Sequence, residues 1–245
     1  YLDCECTYFP SMADDDPIMS AYSYAKRESV KEGFVPVLIK ADDETLLECL
    51  VMNADPENDV DFYEFDLKTV TEYRKKMLSA PVKDGKAVLE ELTGQRKEEA
   101  EDDDMDWDEE VLGEMEGGEP NDRFSSYWDD ETEMTYPLIL AKIPVKNPWE
   151  IFAYLPFGNW NDCPDTPELI AAAKYWFEQY GAVPAAMSHD ELEFLLPAPV
   201  PKEKAMDAAV ALYGFCPDLD QNEDGSIGSL ADALWQSTVW YFWWD

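Results

Sequence analysis

Thr238-Val239-Trp240-Tyr241-Phe242-Trp243-Trp244-Asp245 closes the chain, and its reading decides the fold. An almost unbroken run of β-branched and aromatic residues is the composition of a buried strand. Each aromatic side chain buries a large apolar area, so adjacent tryptophans predict a last strand locked into a core rather than a fraying tail. Strand alternation sorts Trp240, Phe242 and Trp244 onto one face and Tyr241, Trp243 and Asp245 onto the other, and both faces need cover.

Working upstream, Leu138-Ile139-Leu140-Ala141-Lys142-Ile143 and Ile151-Phe152-Ala153-Tyr154-Leu155 read as strands. Thr166-Pro167-Glu168 starts a helix with a cap, a proline at its first position and an early acid. Its apolar stripe is Leu169, Ala173, Trp176, Phe177 and Tyr180, and Gly181 stops it. Residues 182–187 and 192–196 read as paired strands around Ser188-His189-Asp190-Glu191. A second helix is predicted over 202–213, ended by Gly214. A third is predicted from Ser229, with Asp232 as its capping-box partner. Strands and helices mix without a strict alternation, so the fold class is α+β, with mixed sheets and flanking helices.

Ala25-Lys26, Gly33, Val35-Pro36, Asp42 and Leu47 match Ala173-Lys174, Gly181, Val183-Pro184, Asp190 and Leu195 at one constant offset. Each copy reads as helix, glycine stop, Val-Pro strand and acidic turn. Two generic units meeting the same turn chemistry give this pattern, and so do two related lobes with a ligand cleft between them.

Charge divides the chain into three. Of 55 acidic and 18 basic residues, 18 acids and only Arg123 fall in 98–137. The expected organisation is therefore an N-terminal α/β lobe over 1–97, an acidic linker or insertion over 98–137 and a C-terminal α+β domain over 138–245. Trp107, Phe124, Tyr127 and Trp128 interrupt the acidic tract and offer it anchors. A formal net charge of -37 excludes generic nucleic-acid binding and anionic membrane surfaces, both of which need a basic face. It favours a basic partner, a cation or plain solubility. No apolar run has the length of a membrane span, and none reads as a signal peptide. Cys4, Cys6, Cys49, Cys163 and Cys216 are odd in number and lack the spacing of a disulfide scaffold, which suits a reducing cytoplasm. Cys4 and Cys6 lack the rest of a zinc site.

Pro148-Trp149-Glu150, Leu155-Pro156-Phe157-Gly158, Trp160-Asn161 with Cys163-Pro164, Tyr180-Gly181-Ala182-Val183-Pro184-Ala185, Ser188-His189-Asp190, Phe215-Cys216-Pro217-Asp218 and the closing strand jointly resemble the bacterial domain-of-unknown-function family 4253, over about residues 138–245. Asn159 stands where the resemblance implies a second glycine, and asparagine tolerates the left-handed backbone of such a turn. The resemblance implies no activity, so it carries over no catalytic residue.

Four constellations could carry chemistry. His189, with Asp190 beside it, fits a general acid/base, or a turn histidine satisfying local backbone. Cys163-Pro164-Asp165 and Cys216-Pro217-Asp218 could join His189 as a nucleophilic or zinc site, or serve as buried small apolar residues. Asp220-Gln221-Asn222-Glu223-Asp224-Gly225-Ser226-Ile227 follows the first eight positions of a calcium loop, with Asp220, Asn222 and Asp224 as ligands. Ala231 stands where the loop needs its bidentate glutamate, so an ordinary turn is the competing reading. Phe157, Trp160 and Asn161 sit on a Gly-Asn bend suited to recognition or to packing. Two functions follow: a non-enzymatic, immunity-protein-like module binding a basic protein, or a small-molecule protein or enzyme using His189 with Cys163 or Cys216.

Overall fold

The closing run is strand, and it lies at one edge of a six-stranded mixed sheet. The computed structural model describes residues 1–55, 65–129, 131–220 and 226–245. In chain order the elements are β1 (Cys6–Phe9), α1 (Asp16–Glu32), β2 (Val35–Lys40), α2 (Glu44–Ala54), α3 (Leu67–Ser79) and α4 (Gly85–Asp102). A π-turn follows (Trp107–Leu112), then β3 (Trp128–Asp129), β4 (Met134–Thr135), β5 (Leu138–Ile143), α5 (Ile151–Tyr154), α6 (Thr166–Tyr180), β6 (Val183–Met187), β7 (Glu191–Leu195), α7 (Ala205–Phe215), α8 (Ile227–Leu234) and β8 (Val239–Trp243). The sheet order is β1-β5-β2-β6-β7-β8, and β3 and β4 form a small ladder of their own. Among the described residues only β2 and β6 run parallel, with Leu38 opposite Ala186 and Ile39 opposite Met187. The class is α+β.

The boundaries expected near residues 97 and 137 fall within continuous structure. Helix α4 runs across the first, and β5 inserts between β1 and β2 just after the second. The acidic tract packs on the rest: Val111, Phe124 and Tyr127 are buried, and Trp107 lies 6.1 Å from the Tyr213 ring. Buried Glu193 accepts the Ser125 and Ser126 N–H groups at 2.9 and 3.3 Å and the Ser126 hydroxyl at 2.5 Å, pinning the tract to the sheet.

The larger core lies on the face covered by α6, α7 and α8. Trp176 of α6 stands at its centre, stacked on Phe242 at 5.6 Å and edge-on to Phe215, Phe194 and Trp240. Trp244 reaches Phe157 and Phe215, both at 5.6 Å. The opposite face of β8 is only half covered. Tyr241 and Trp243 remain half-buried and turn their polar tips to Glu191 and Asp190, at 2.8 and 3.2 Å. The other face of the sheet carries α1, whose Ile18, Tyr22 and Ala25 pack with Leu38, Leu140 and Ala185.

The cap of helix α6 is Asp165, boxed with Glu168, one residue before the expected Thr166, and the helix ends as expected, with Gly181 left-handed at φ 71°. Gly33 ends α1 the same way at φ 75°. The repeated units therefore share helix, glycine and Val-Pro strand. They diverge after the strand, where Leu47 lies in helix α2 and Leu195 in strand β7. Three further local expectations are corrected. The segment expected as a strand at 151–155 is helix α5, buried on all sides and so without visible periodicity. Gly214 does not end α7. It lets the helix approach α4, where an added Cβ would lie 2.8 Å from the Thr93 nitrogen. Helix α8 is capped by Ser226 and boxed with Ser229, while Asp232 accepts the Trp235 indole N–H at 2.8 Å.

Candidate functional site

The two parallel strands end side by side, and the loops beyond their carboxyl ends converge. This is where open sheets with parallel strands place ligand sites. Strand β2 leaves through Asp42, at φ 60°, to Asp43, which caps α2 by accepting the Leu46 N–H at 2.9 Å. Strand β6 leaves through Ser188 to His189. The second Asp43 oxygen accepts the His189 backbone N–H at 3.0 Å and faces ring Nδ1 at 3.1 Å. Asp43 is almost wholly buried, while the His189 side chain is 37% exposed. The other ring nitrogen, Nε2, lies 3.5 Å from an Asp190 oxygen. That same oxygen accepts the Trp243 indole N–H at 3.2 Å. Glu191, next along, is raised from its ordinary value by burial first and by the Asp190 charge, against hydrogen bonds from Tyr241 and Ser188 that lower it. His189 therefore sits between two carboxylates and ties β2 to the β6–β7 turn.

His189 also lines a cavity of about 300 Å³, walled by Glu48, Cys49 and Met52 of α2 and by the bend at Gly158, Asn159 and Trp160. The bend is built on left-handed residues, Gly158 at φ 78° and Asn159 at φ 63°, so asparagine serves where a glycine was expected. Gly158 is required twice over, because a Cβ there would stand 2.6 Å from the Pro164 carbonyl oxygen. Asn53 holds the bend by donating to the Pro156 and Gly158 carbonyls at 2.7 and 2.8 Å. Burial pushes the Cys49 thiol up to about 11, so it faces the cavity as a neutral thiol.

Of the residues singled out in the sequence, His189, Asp190 and Trp160 come together here. Asn161 lies at the margin and donates to the Asp245 carbonyl at 2.5 Å. Phe157 is fully buried against Trp244. Cys163 and Cys216 do not line the cavity, Cys163 being buried behind its wall with Sγ 2.7 Å from where a Gly158 Cβ would stand, and burial raises both thiols. Cys216 donates to the Trp243 carbonyl at 3.0 Å. Among the described residues neither belongs to a three-ligand group. Asp14, Asp15 and Asp16 form the one such group, and Asp15 already accepts the Tyr127 hydroxyl at 2.8 Å. Asn222, Asp224 and the Asp220 side chain, expected as calcium ligands, lie outside the described residues. Asp43 and Cys49 were missed. They come from the far end of the chain, and their only local signal was the Asp42-Asp43 turn.

A second feature adjoins the cavity. From the end of α4 through the π-turn, Glu98, Glu99, Glu101, Asp102, Asp103, Asp104, Asp106, Asp108, Glu109 and Glu110 are all exposed, with no basic residue among them. Buried Arg96 bonds Glu99 at 2.7 Å and Asp162 at 3.1 Å, which fastens this ridge to the loop carrying Trp160.

Residues 139–245 match the family model of DUF4253, a domain of unknown function. No curated protein and no solved structure matches the chain.

Proposed function

We propose that this chain, which carries a domain of unknown function over its C-terminal part, is a non-enzymatic interaction module for a basic protein partner, in the manner of an immunity protein that neutralises a basic nuclease toxin. The observation that carries this reading is the ordered acidic ridge at 98–110. Anions at a helix C-terminus oppose the helix dipole, and α4 has no basic residue in its last turn. Helix stability does not explain Glu98, Glu101, Asp102 and Asp103 at that end, and a positive partner does. Asp106, by contrast, caps the π-turn, and Asp108, Glu109 and Glu110 lie in its first turn, where acids are favourable. A rigid field of one sign steers encounter and selects partners by complementary charge. A cytoplasmic setting belongs to the same proposal, since all five cysteines are free thiols. Among the described residues no helix is long and apolar enough to cross a membrane.

The test is capture of partners from native lysate at low and high salt, alongside a variant with Glu98, Glu101, Asp102 and Asp103 neutralised as Gln or Asn. One basic protein held at low salt, released at high salt and lost from the variant supports the reading. Partners indifferent to the variant, or none at all, overturn it.

The Asp43–His189 pair on a cavity favours a second reading, a small-molecule site. About 300 Å³ is at the lower bound for ligand pockets. Both His189 nitrogens face carboxylates, which suits binding better than proton abstraction. A metabolite panel scored by melting temperature, repeated on His189→Ala, decides it: no shift in wild type, or shifts equal in the variant, counts against this site.

A further inference from the structure

Toward the opposite end of β2, Cys6 opens the edge strand β1 and Cys4 lies two residues before it, both outside the two features. The Sγ atoms of Cys4 and Cys6 are 3.9 Å apart. Cys6 is exposed and Cys4 partly so. Their spacing is set by the backbone. Asp3 is left-handed at φ 46°, Cys6 is paired in register with Ala141, and the Glu5 carbonyl between the cysteines accepts the Lys142 N–H at 2.9 Å.

We infer that Cys4 and Cys6 form a two-sulfur clip for a monovalent thiophilic cation, Cu(I). Two metal–sulfur bonds of about 2.3 Å to sulfurs 3.9 Å apart would meet at about 116°, and opening to the straight line that a two-coordinate ion favours would part the sulfurs to about 4.6 Å, a few tenths of an ångström for each side chain. At 3.9 Å the sulfurs stand as two unbonded thiols, well beyond the about 2.05 Å of a disulfide. Zinc in a structural site takes four ligands, and among the described residues no third cysteine, histidine or carboxylate closes on this pair. Soft Cu(I) is selected by thiolates. Charge also fits. Two thiolates around one Cu(I) leave a single negative charge, smaller than that of the two thiolates alone. Lys142, beside the pair, is bonded to Glu5 at 2.5 Å.

Binding breaks two S–H bonds and forms two Cu–S bonds. The copper stays monovalent and two protons pass to solvent. Where both thiols are protonated, affinity rises about 100-fold per pH unit, two protons being released for each ion.

The experiment is anaerobic titration of the reduced, full chain with Cu(I) in competition with bathocuproine disulfonate. The expected result is one Cu(I) taken per chain, with uptake steepening from pH 6 to 8. It should be lost in Cys4→Ser and in Cys6→Ser and kept in Cys49→Ser, with melting temperatures unchanged. Wild type that takes no copper from the chelator at pH 8, or a double Cys4→Ser, Cys6→Ser variant that takes as much as wild type, overturns the assignment. The pH profile of the unmutated chain tests it without any variant, because uptake independent of pH excludes a dithiol ligand.

Discussion

Asp43 and His189 are joined through one carboxylate oxygen, which accepts the His189 backbone N–H at 3.0 Å and meets its ring Nδ1 at 3.1 Å. The other Asp43 oxygen caps α2. One side chain thus fixes a helix start and the turn of a distant hairpin. Asp43→Ala should cost about 1–2 kcal/mol from the cap alone, with a further loss from the stranded His189 N–H. Asp43→Asn, which keeps a capping oxygen, should cost less. Urea denaturation of the two variants checks the order, and equal losses would remove the cap from the account.

Trp243 and Trp244 are neighbours with opposite surroundings. Trp244 is 1% exposed, among Phe157, Phe215 and Phe242. Trp244→Ala should cost about 3–5 kcal/mol. Trp243 is half-buried and holds one hydrogen bond to Asp190, so Trp243→Ala should cost about 1–2 kcal/mol. Denaturation midpoints for the pair measure how one-sided the burial of the last strand is.

Glu193 makes stability depend on pH. Burial pushes its carboxyl from 4.5 up to about 7, against the Ser125 and Ser126 hydrogen bonds that pull it down. A carboxyl raised in the folded state binds its proton more tightly there than in the unfolded chain. Its contribution is therefore complete below pH 4.5 and is lost as pH rises through 7. Glu193→Gln removes the titration. The stability of wild type minus that of Glu193→Gln should fall from about pH 4.5 to about pH 7 and level off above it, as read by melting temperature. A flat difference would mean that Glu193 keeps its ordinary acidity.

The acidic ridge should be costly to the fold. Glu101 and Asp102 occupy the negative end of α4. Glu101→Gln and Asp102→Asn should each stabilise by about 0.3–1 kcal/mol. Added salt should raise the melting temperature of wild type more than that of the double variant, because screening removes the same repulsion. Variants less stable than wild type would show the ridge to be structural.

The cavity bend tolerates substitution unequally. Gly158→Ala combines a left-handed backbone with a Cβ 2.6 Å from a carbonyl oxygen, so it should cost about 2–4 kcal/mol and deform the bend. Asn159→Ala meets no such clash, only the left-handed penalty of about 1–2 kcal/mol and the loss of the amide's exposed hydrogen bond to Asn53 Oδ1 at 3.2 Å. Thermal melts of both rank the two causes.

What could be read in the sequence was what local chemistry decides. Helix α6 announced itself through Thr166, Pro167 and Gly181, and β8 through its aromatic run. The hairpin around His189 followed from alternation and a polar turn. Helix α5 was hidden because Ile151, Phe152, Ala153 and Tyr154 are all buried, which leaves no polar face to give a period. Gly214 misled because glycine serves close approach as well as termination. The acidic tract read as a linker by composition, although Phe124 and Tyr127 hold it in the core and Glu193 receives its serines. The site was half legible. His189 and Trp160 stood out as residue types, but Asp43 is brought to His189 only by the pairing of β2 with β6, and no local spacing encodes that pairing.

That pairing also governs when the chain can fold during synthesis. Strand β2, buried along nearly its whole length, finds its neighbours only in β5 and β6, around Leu140 and Ala186. Until the ribosome has delivered residue 187, a sticky apolar ribbon waits with one flank or both unpaired. Such long-range closure is slow and prone to aggregation. The matched segment 139–245 has the complementary defect, because its first strand is separated from the other three by β2. Expressed alone, it would leave a gap one strand wide in the middle of its own sheet. Each half of this molecule is the folding template of the other.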